Sequence, residues 1–247
     1  KIGGKTLLEI TLKKTGNFRQ IKKTIVIYKK QHLGILKKLR LKNIKLIEGG
    51  SSRQESTFNA LKYLHKQRGI SKVLIHDVAR PNFSKELLFK IIKHAKKFKA
   101  VIPTLTIQDA IKQKYVSSKY EYFVGKDRSD LFLTQTPQCF NFKEIFNLHI
   151  NNKDKYHDDD LSLLVDLNNV KFLEGEKNNF KITDKIDFES LKKIYKSEIK
   201  VGIGFDVHRL VPKRKLYLAG LKIKSKFGTL GHSDGDPILH SITDVIL

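Results

Sequence analysis

The sequence has no methionine and a single cysteine, Cys139. One thiol cannot form an internal disulfide, which excludes a small secreted scaffold held together by cross-links. No apolar run approaches the ~20 residues that a bilayer-spanning helix needs, and no charged-then-apolar leader opens the chain. A cytoplasmic protein with no membrane partner is the expectation. Because residue 1 is Lys, the chain is expected to be cut from a longer one. Arginine is scarce: 8 of the 49 cations, the other 41 being Lys, set against 25 acids for a formal net charge of +24. Basic faces bind nucleic acid by neutralising phosphates, but base readers and bidentate phosphate clamps favour Arg. The lysines are spread from Lys1 to Lys226, with no zinc-finger spacing, RRM signature or basic-helix block. The charge is therefore read as lysine on solvated faces. A basic nucleic-acid-binding protein remains the non-enzymatic alternative.

What is present is enough chain, 247 residues at 40% apolar, for one large core and a smaller neighbour. Short Val- and Ile-rich runs at 24–28, 44–47, 72–76 and 99–102 read as buried strands. Helical spacing fills 31–40, 53–67 and 84–98 between them; in the last, Leu87, Leu88, Ile91, Ile92 and Ala95 make one apolar stripe. This alternation predicts a Rossmann-like, mostly parallel α/β sheet with right-handed crossovers and ligands beyond the carboxyl ends of its strands. Two strand-like pieces around 116–119 predict a projecting β arm. Helices are expected at 142–150, 161–165 and 186–195, and strands at 170–173 and 180–183. After polar 196–200, fresh strands are expected at 201–208 and 215–219, then a helix from Asp236. The predicted boundary lies near Ser197, giving domains 1–197 and 198–247.

Several segments could carry chemistry. Gly49 and Gly50 precede Ser52 and Glu55, whose spacing is that of a capping box opening a helix. Such a turn is either a plain strand-to-helix connection or a place where backbone approaches an anionic or flat ligand. At the end of the strongest strand, Asp77 could hold Mg²⁺ and Arg80 could grip a phosphate; the bland reading is an Asp–Arg ion pair. Arg128, Thr134 and Thr136 add a cation and hydroxyls. The acids Asp158–Asp160 read as a charged first turn, and Lys181 could reach the same ligand from a strand. Farther on, Asp206 and His208 stand two apart, and His240 lies on a helix. One carboxylate and two imidazoles suit Zn²⁺ with an open fourth position, or are ordinary histidines with a capping acid. Asp234 and Asp236 are weaker ligand candidates, since either could cap that helix.

Taken in order, Gly49–Ser56, His76–Pro81, Asp127–Arg128, Thr134–Gln138, Asp158–Asp159 and Asn179–Thr183 resemble the 2-C-methyl-D-erythritol 4-phosphate cytidylyltransferase family. Gly204–His208 and His232–His240 resemble the opening of 2-C-methyl-D-erythritol 2,4-cyclodiphosphate synthase, an α+β cyclase, and the pair resembles the bifunctional fusion of the two. The resemblance implies a nucleotidyltransferase-type fold and a metal-dependent cyclase in isoprenoid precursor synthesis. It implies cytosine contacts from Gly50, Ser51 and Ser56, and Asp77 working with Mg²⁺ and the methylerythritol. Arg80, Arg128, Thr136 and Lys181 would surround the substrate phosphate, and Asp109 would also bind the substrate. Asp206, His208 and His240 would hold Zn²⁺ or another divalent cation. CTP and methylerythritol phosphate would be the substrates, in a parent that is a homo-oligomer. An alternative is a nucleotidyltransferase for another sugar or polyol phosphate. Ala110 and Asp158 stand where the family usually has Thr, the glycine-rich triphosphate loop is missing before Lys1, and the cyclase stops after its first helix. The expectation is an incomplete catalyst.

Overall fold

The computed structural model describes residues 1–39, 44–116, 120–153, 155, 157–164, 166–196, 202–231 and 236–246. The chain folds into two compact units, Lys1–Lys193 and Ile194–Leu247.

In the first unit, helix α1 (Leu7–Gly16) starts at Thr6, whose hydroxyl accepts from the Glu9 N–H while Glu9 reaches back to the Thr6 N–H. Two parallel strands follow, β1 (Thr24–Tyr28) and β2 (Ile44–Glu48), separated by the short helix α2 (Leu33–Lys38). Next come α3 (Arg53–His65), β3 (Lys72–Ile75), α4 (Lys85–Ala95) and β4 (Ala100–Thr106). The arm is the antiparallel hairpin β5 (Ile111–Val116) with β6 (Glu121–Lys126). The unit is completed by β7 (Phe132–Thr134), β8 (Gln138–Asn141), α5 (Phe142–Asn151), β9 (Val170–Glu174) and α6 (Lys185–Lys196).

The main sheet runs β3-β8-β4, with β7 and β9 also paired to β4. Strands β3, β4 and β9 share one direction; β7 and β8 run against them. The α/β class holds, and the sheet is mixed because β8 is reached through the arm rather than by a crossover helix. Alternation along the two central strands splits the core. Ala100, Ile102 and Phe140 face Leu61, Leu64, Ile145 and Phe146 of α3 and α5. Val101 and Cys139 face Phe83, Leu87, Leu88 and Ile91 under α4, the apolar stripe read from the sequence. Burial pushes the Cys139 thiol up to about 11, so it is a packing residue.

Three expectations change. Residues 180–183 form no strand; they are an irregular segment tied to the sheet edge by the Ile182 N–H to Ala79 carbonyl bond. The helix expected at 161–165 is one 3₁₀ turn, Leu161–Leu163, because Asp159 takes the Ser162 N–H and hydroxyl and Asp160 turns inward. Residues 202–208 are not a strand either; the ladder begins only at Arg209.

In the second unit, β10 (Arg209–Pro212) pairs antiparallel with β13 (Phe227–Leu230), and β11 (Leu216–Leu218) with β12 (Leu221–Ile223). Helix α7 (Pro237–Ile246) closes it. Gly228 is fixed by packing: a Cβ there would lie 2.3 Å from the Lys215 carbonyl oxygen. Asp236 is buried and accepts from Ile238 and Leu239 at the start of α7 and from Ala219 and Gly220 in the β11–β12 turn. It is therefore a cap that ties helix to hairpin, not a free ligand; Asp234 and His232 lie outside the described residues. Among the described residues no helix is long and apolar enough to cross a membrane.

Candidate active site and metal centre

Helix α3 begins where the sequence predicted. Ser52 accepts from the Glu55 N–H at 3.0 Å, but the Glu55 carboxylate turns to the Ser51 N–H (2.7 Å) and hydroxyl instead of closing a capping box on Ser52. These bonds hold the Glu55 carboxyl below the usual range. The Gly50 N–H donates to Ser56 Oγ at 3.0 Å. The turn is thus built by its own donors and acceptors, and a Cβ on Gly50 would fall 2.2 Å from Glu55 Cδ and displace that carboxylate.

Strand β3 ends at Ile75, opposite Gln138 at the start of β8. Just past that edge the Asp77 N–H donates to the Thr136 hydroxyl (3.0 Å), which lies 3.0 Å from His76 Nδ1. Thr136 Oγ1 accepts from Asp77 and also hydrogen-bonds His76 Nδ1, as donor or acceptor according to the tautomer of the ring. Burial pushes His76 down to about 4. Its ring stands edge-on to Phe83, and Nε2 is enclosed without a partner. A proton binds the unfolded chain near the ordinary value of 6.5 and the native protein only near 4. Stability therefore falls as pH drops through that window, by up to ~3 kcal/mol. Urea midpoints at neutral pH and at the low end of the window should differ for the wild type, and His76→Gln should narrow the difference.

The Asp77 carboxylate sits between two cations. Oδ1 is 3.4 Å from Arg53 Nε, and Oδ2 is 3.6 Å from Lys181 Nζ. The bland alternative of an Asp77–Arg80 ion pair is not the arrangement found: Arg80 donates to the Asn179 carbonyl (2.9 Å) and approaches that of Thr134 (3.5 Å). Its Nε is buried without a partner. Burial lowers the Arg80 pKa, with Asp77 opposing the shift. Lys181 arrives here because the 176–179 loop is sewn to the 134–136 loop. Gln135 donates to the Glu176 and Asn179 carbonyls, and the fully buried Asn179 donates to the Thr136 carbonyl at 3.0 Å.

Asp77, Arg80, Thr136 and Lys181 are therefore brought together at one sheet edge. Gly50, Ser51 and Ser56 are joined to them through Arg53, the first residue of α3. Arg128 and Asp109 are not: Arg128 donates to the Gln108 carbonyl near the base of the arm, and among the described residues no hydrogen bond or ion pair links either to Asp77. Ala110 and Asp158 are exposed. Thr134 contributes differently from the phosphate contact the sequence suggested, donating to Asp159 at 2.9 Å. Arg53, His149, Asp160 and Asn179 escaped the sequence reading as site residues. The hints were Arg53's position directly after the cap, Asp160 at the end of the acid run and Asn179 at the head of the Asn179–Thr183 motif.

In the second unit Asp206 Oδ2 lies 3.1 Å from Nδ1 of both His208 and His240. The three ligand atoms fall within 4.8 Å of one another. His208 Nδ1 is buried and makes no aligned hydrogen bond despite that short distance. Two imidazole nitrogens and a carboxylate oxygen converging in this way fit a divalent cation. At Asp77 a single carboxylate fits Mg²⁺ only where substrate phosphates complete the shell.

Residues 1–197 match the IspD family, 2-C-methyl-D-erythritol 4-phosphate cytidylyltransferase. The chain belongs to this cytidylyltransferase family. Residues 199–247 match the YgbB family. A bifunctional enzyme IspD/IspF of Pelagibacter ubique is 45% identical over 99% of this chain, and the chain spans 63% of that relative's length. The solved bifunctional IspDF of Campylobacter jejuni is 31% identical, with a TM-score of 0.62 over 100% of this chain and 63% of that one. The 4-diphosphocytidyl-2C-methyl-D-erythritol synthase of Anaerococcus prevotii is 30% identical, with a TM-score of 0.67 over 79% of this chain and 88% of that one. The cation-lined sheet edge thus lies in the part of the chain that matches the cytidylyltransferase family.

Proposed function

We propose that the full-length parent transfers CMP from CTP to 2-C-methyl-D-erythritol 4-phosphate, releasing pyrophosphate, in a domain spanning 1–197. A domain opening at 198 would then cyclise the 2-phosphorylated CDP product to the 2,4-cyclodiphosphate with loss of CMP. The supporting observation is the convergence of Asp77, Arg80, Thr136 and Lys181 at one sheet edge in a chain of this family.

In this reading the substrate's phosphate oxygen attacks the α-phosphorus of CTP. A phosphoryl transfer asks little covalent chemistry of the protein, so positioning and charge neutralisation dominate. The Gly49–Ser52 turn, with Gly50, Ser51 and Ser56, receives the cytosine. Arg80 and Lys181 neutralise the incoming phosphate, Thr136 fixes the loop beneath it, and Asp77 faces the polyol. Arg128 adds a cation to the phosphate shell and Asp109 binds the substrate. Mg²⁺ at Asp77 would add charge neutralisation on the triphosphate. In the cyclase part Asp206, His208 and His240 would hold a divalent cation, with Zn²⁺ favoured by the imidazoles, and the ion would supply Lewis-acid polarisation of a phosphate. The parent works in the cytoplasm as a homo-oligomer.

The test is pyrophosphate release by the full-length protein from CTP and methylerythritol phosphate. Turnover with this acceptor above other sugar and polyol phosphates is the expected result. Faster turnover of another acceptor reassigns the substrate, and no CTP-dependent release defeats the reading.

A further inference from the structure

Behind Asp77 lies a chain of charged groups that the proposed reaction does not use. Asp160 is 1% exposed, an expensive place for a carboxylate without partners. It has two: His149 Nε2 at 2.9 Å on Oδ1, itself 1% exposed, and an ion pair from an Arg53 terminal nitrogen at 2.9 Å from Oδ2, close but without an aligned hydrogen bond. The same guanidinium turns its Nε toward Asp77 Oδ1 at 3.4 Å. Burial works against the Arg53 charge, but Asp160 and Asp77 together raise its pKa. Arg53 is also the first residue of α3, directly after the Gly49–Ser52 turn. One planar fork therefore connects the turn, the buried Asp160–His149 pair and the carboxylate at the sheet edge, a geometry that the single ammonium of Lys cannot reproduce.

We propose that Arg53 is a positioning residue: anchored from behind by Asp160 and His149, it fixes the Asp77 carboxylate relative to the nucleotide turn. The inference rests on the cytidylyl-transfer reading above. Asp77 has its other cation, Lys181, on a half-exposed side chain from an irregular segment, so Arg53 is the rigid side of the clamp. A purely stabilising ion pair would account for the Asp160 contact but not for the second arm reaching Asp77.

The experiment uses the full-length parent and starts with the wild type. Absence of CTP-dependent pyrophosphate release there defeats the functional reading alone. With an active wild type, Arg53→Lys keeps a cation beside Asp160 and loses the fork. It is expected to leave the melting temperature near that of the wild type while lowering turnover of the polyol phosphate by about ten- to a hundredfold, as misplacement of a reacting group does. KM for CTP should stay unchanged. Asp160→Asn, which frees the fork while preserving shape, should lower turnover in the same way. In an Asp77→Asn background Arg53→Lys should cost nothing further, since it acts through Asp77. Full activity of Arg53→Lys overturns the proposal. So does a loss that multiplies with that of Asp77→Asn, or one that tracks the melting temperature.

Discussion

Arg80→Ala in the full-length parent is expected to lower kcat/KM for cytidylyl transfer by about a hundredfold or more, some 2.7 kcal/mol of transition-state stabilisation. Its guanidinium holds the Asn179 and Thr134 carbonyls, and its Nε lacks a partner in the protein. Truncation removes a charge matched to phosphate and loosens the loop that carries Lys181, so two cations leave the sheet edge in one step. Losing the carbonyl bonds should also cost stability, about 1–3 kcal/mol. Arg80→Lys separates these effects: it keeps the charge, forfeits the fork and should fall between wild type and alanine. Pyrophosphate release measured alongside thermal melting checks the prediction. Unchanged turnover would remove Arg80 from the site.

His240→Ala in the full-length parent is expected to abolish stoichiometric binding of a divalent cation and to lower cyclisation by at least the ~100-fold seen for the stronger outer-shell losses. With Asp206 and His208 alone, only two of the three converging ligands remain. Transferase turnover should be unaffected, because the triad lies in the other unit. Metal analysis of the purified variant is the primary measurement. Chelation of the wild type should remove cyclisation and readdition of Zn²⁺ should restore it, with transferase turnover measured after Mg²⁺ is resupplied. Full metal content in His240→Ala would exclude this triad.

Much of the first unit was legible because its signals are local. The apolar stripe of α4, the Ser52 cap and the short Val- and Ile-rich runs of β1 to β4 each declare themselves within a dozen residues. Strand β8 did not. Its four residues sit between Pro137 and a helix, and Gln138 is polar yet 1% exposed, so only pairing with β3 and β4 makes it central. The segment carrying Lys181 misread as a strand for the converse reason. Its apolar residues, Phe180 and Ile182, look periodic, but its backbone bonds go to Ala79 instead of a ladder.

The sequence by itself determined the chemistry available: which side chains could neutralise phosphate, which could ligate a metal, and the ordered motifs that tie the chain to its family. Only the tertiary structure decided which of these meet. Asp77 and Arg80, three residues apart, turn to different partners, while Arg53, Asp160 and His149 join across more than a hundred residues of chain. Asp236 was assigned to capping by two turn amides seventeen and sixteen residues upstream. The reason is physical. A charge pair or a buried carboxylate is satisfied by whichever donor the packed sheet and helices bring within about 3 Å, and sequence spacing carries no record of that distance.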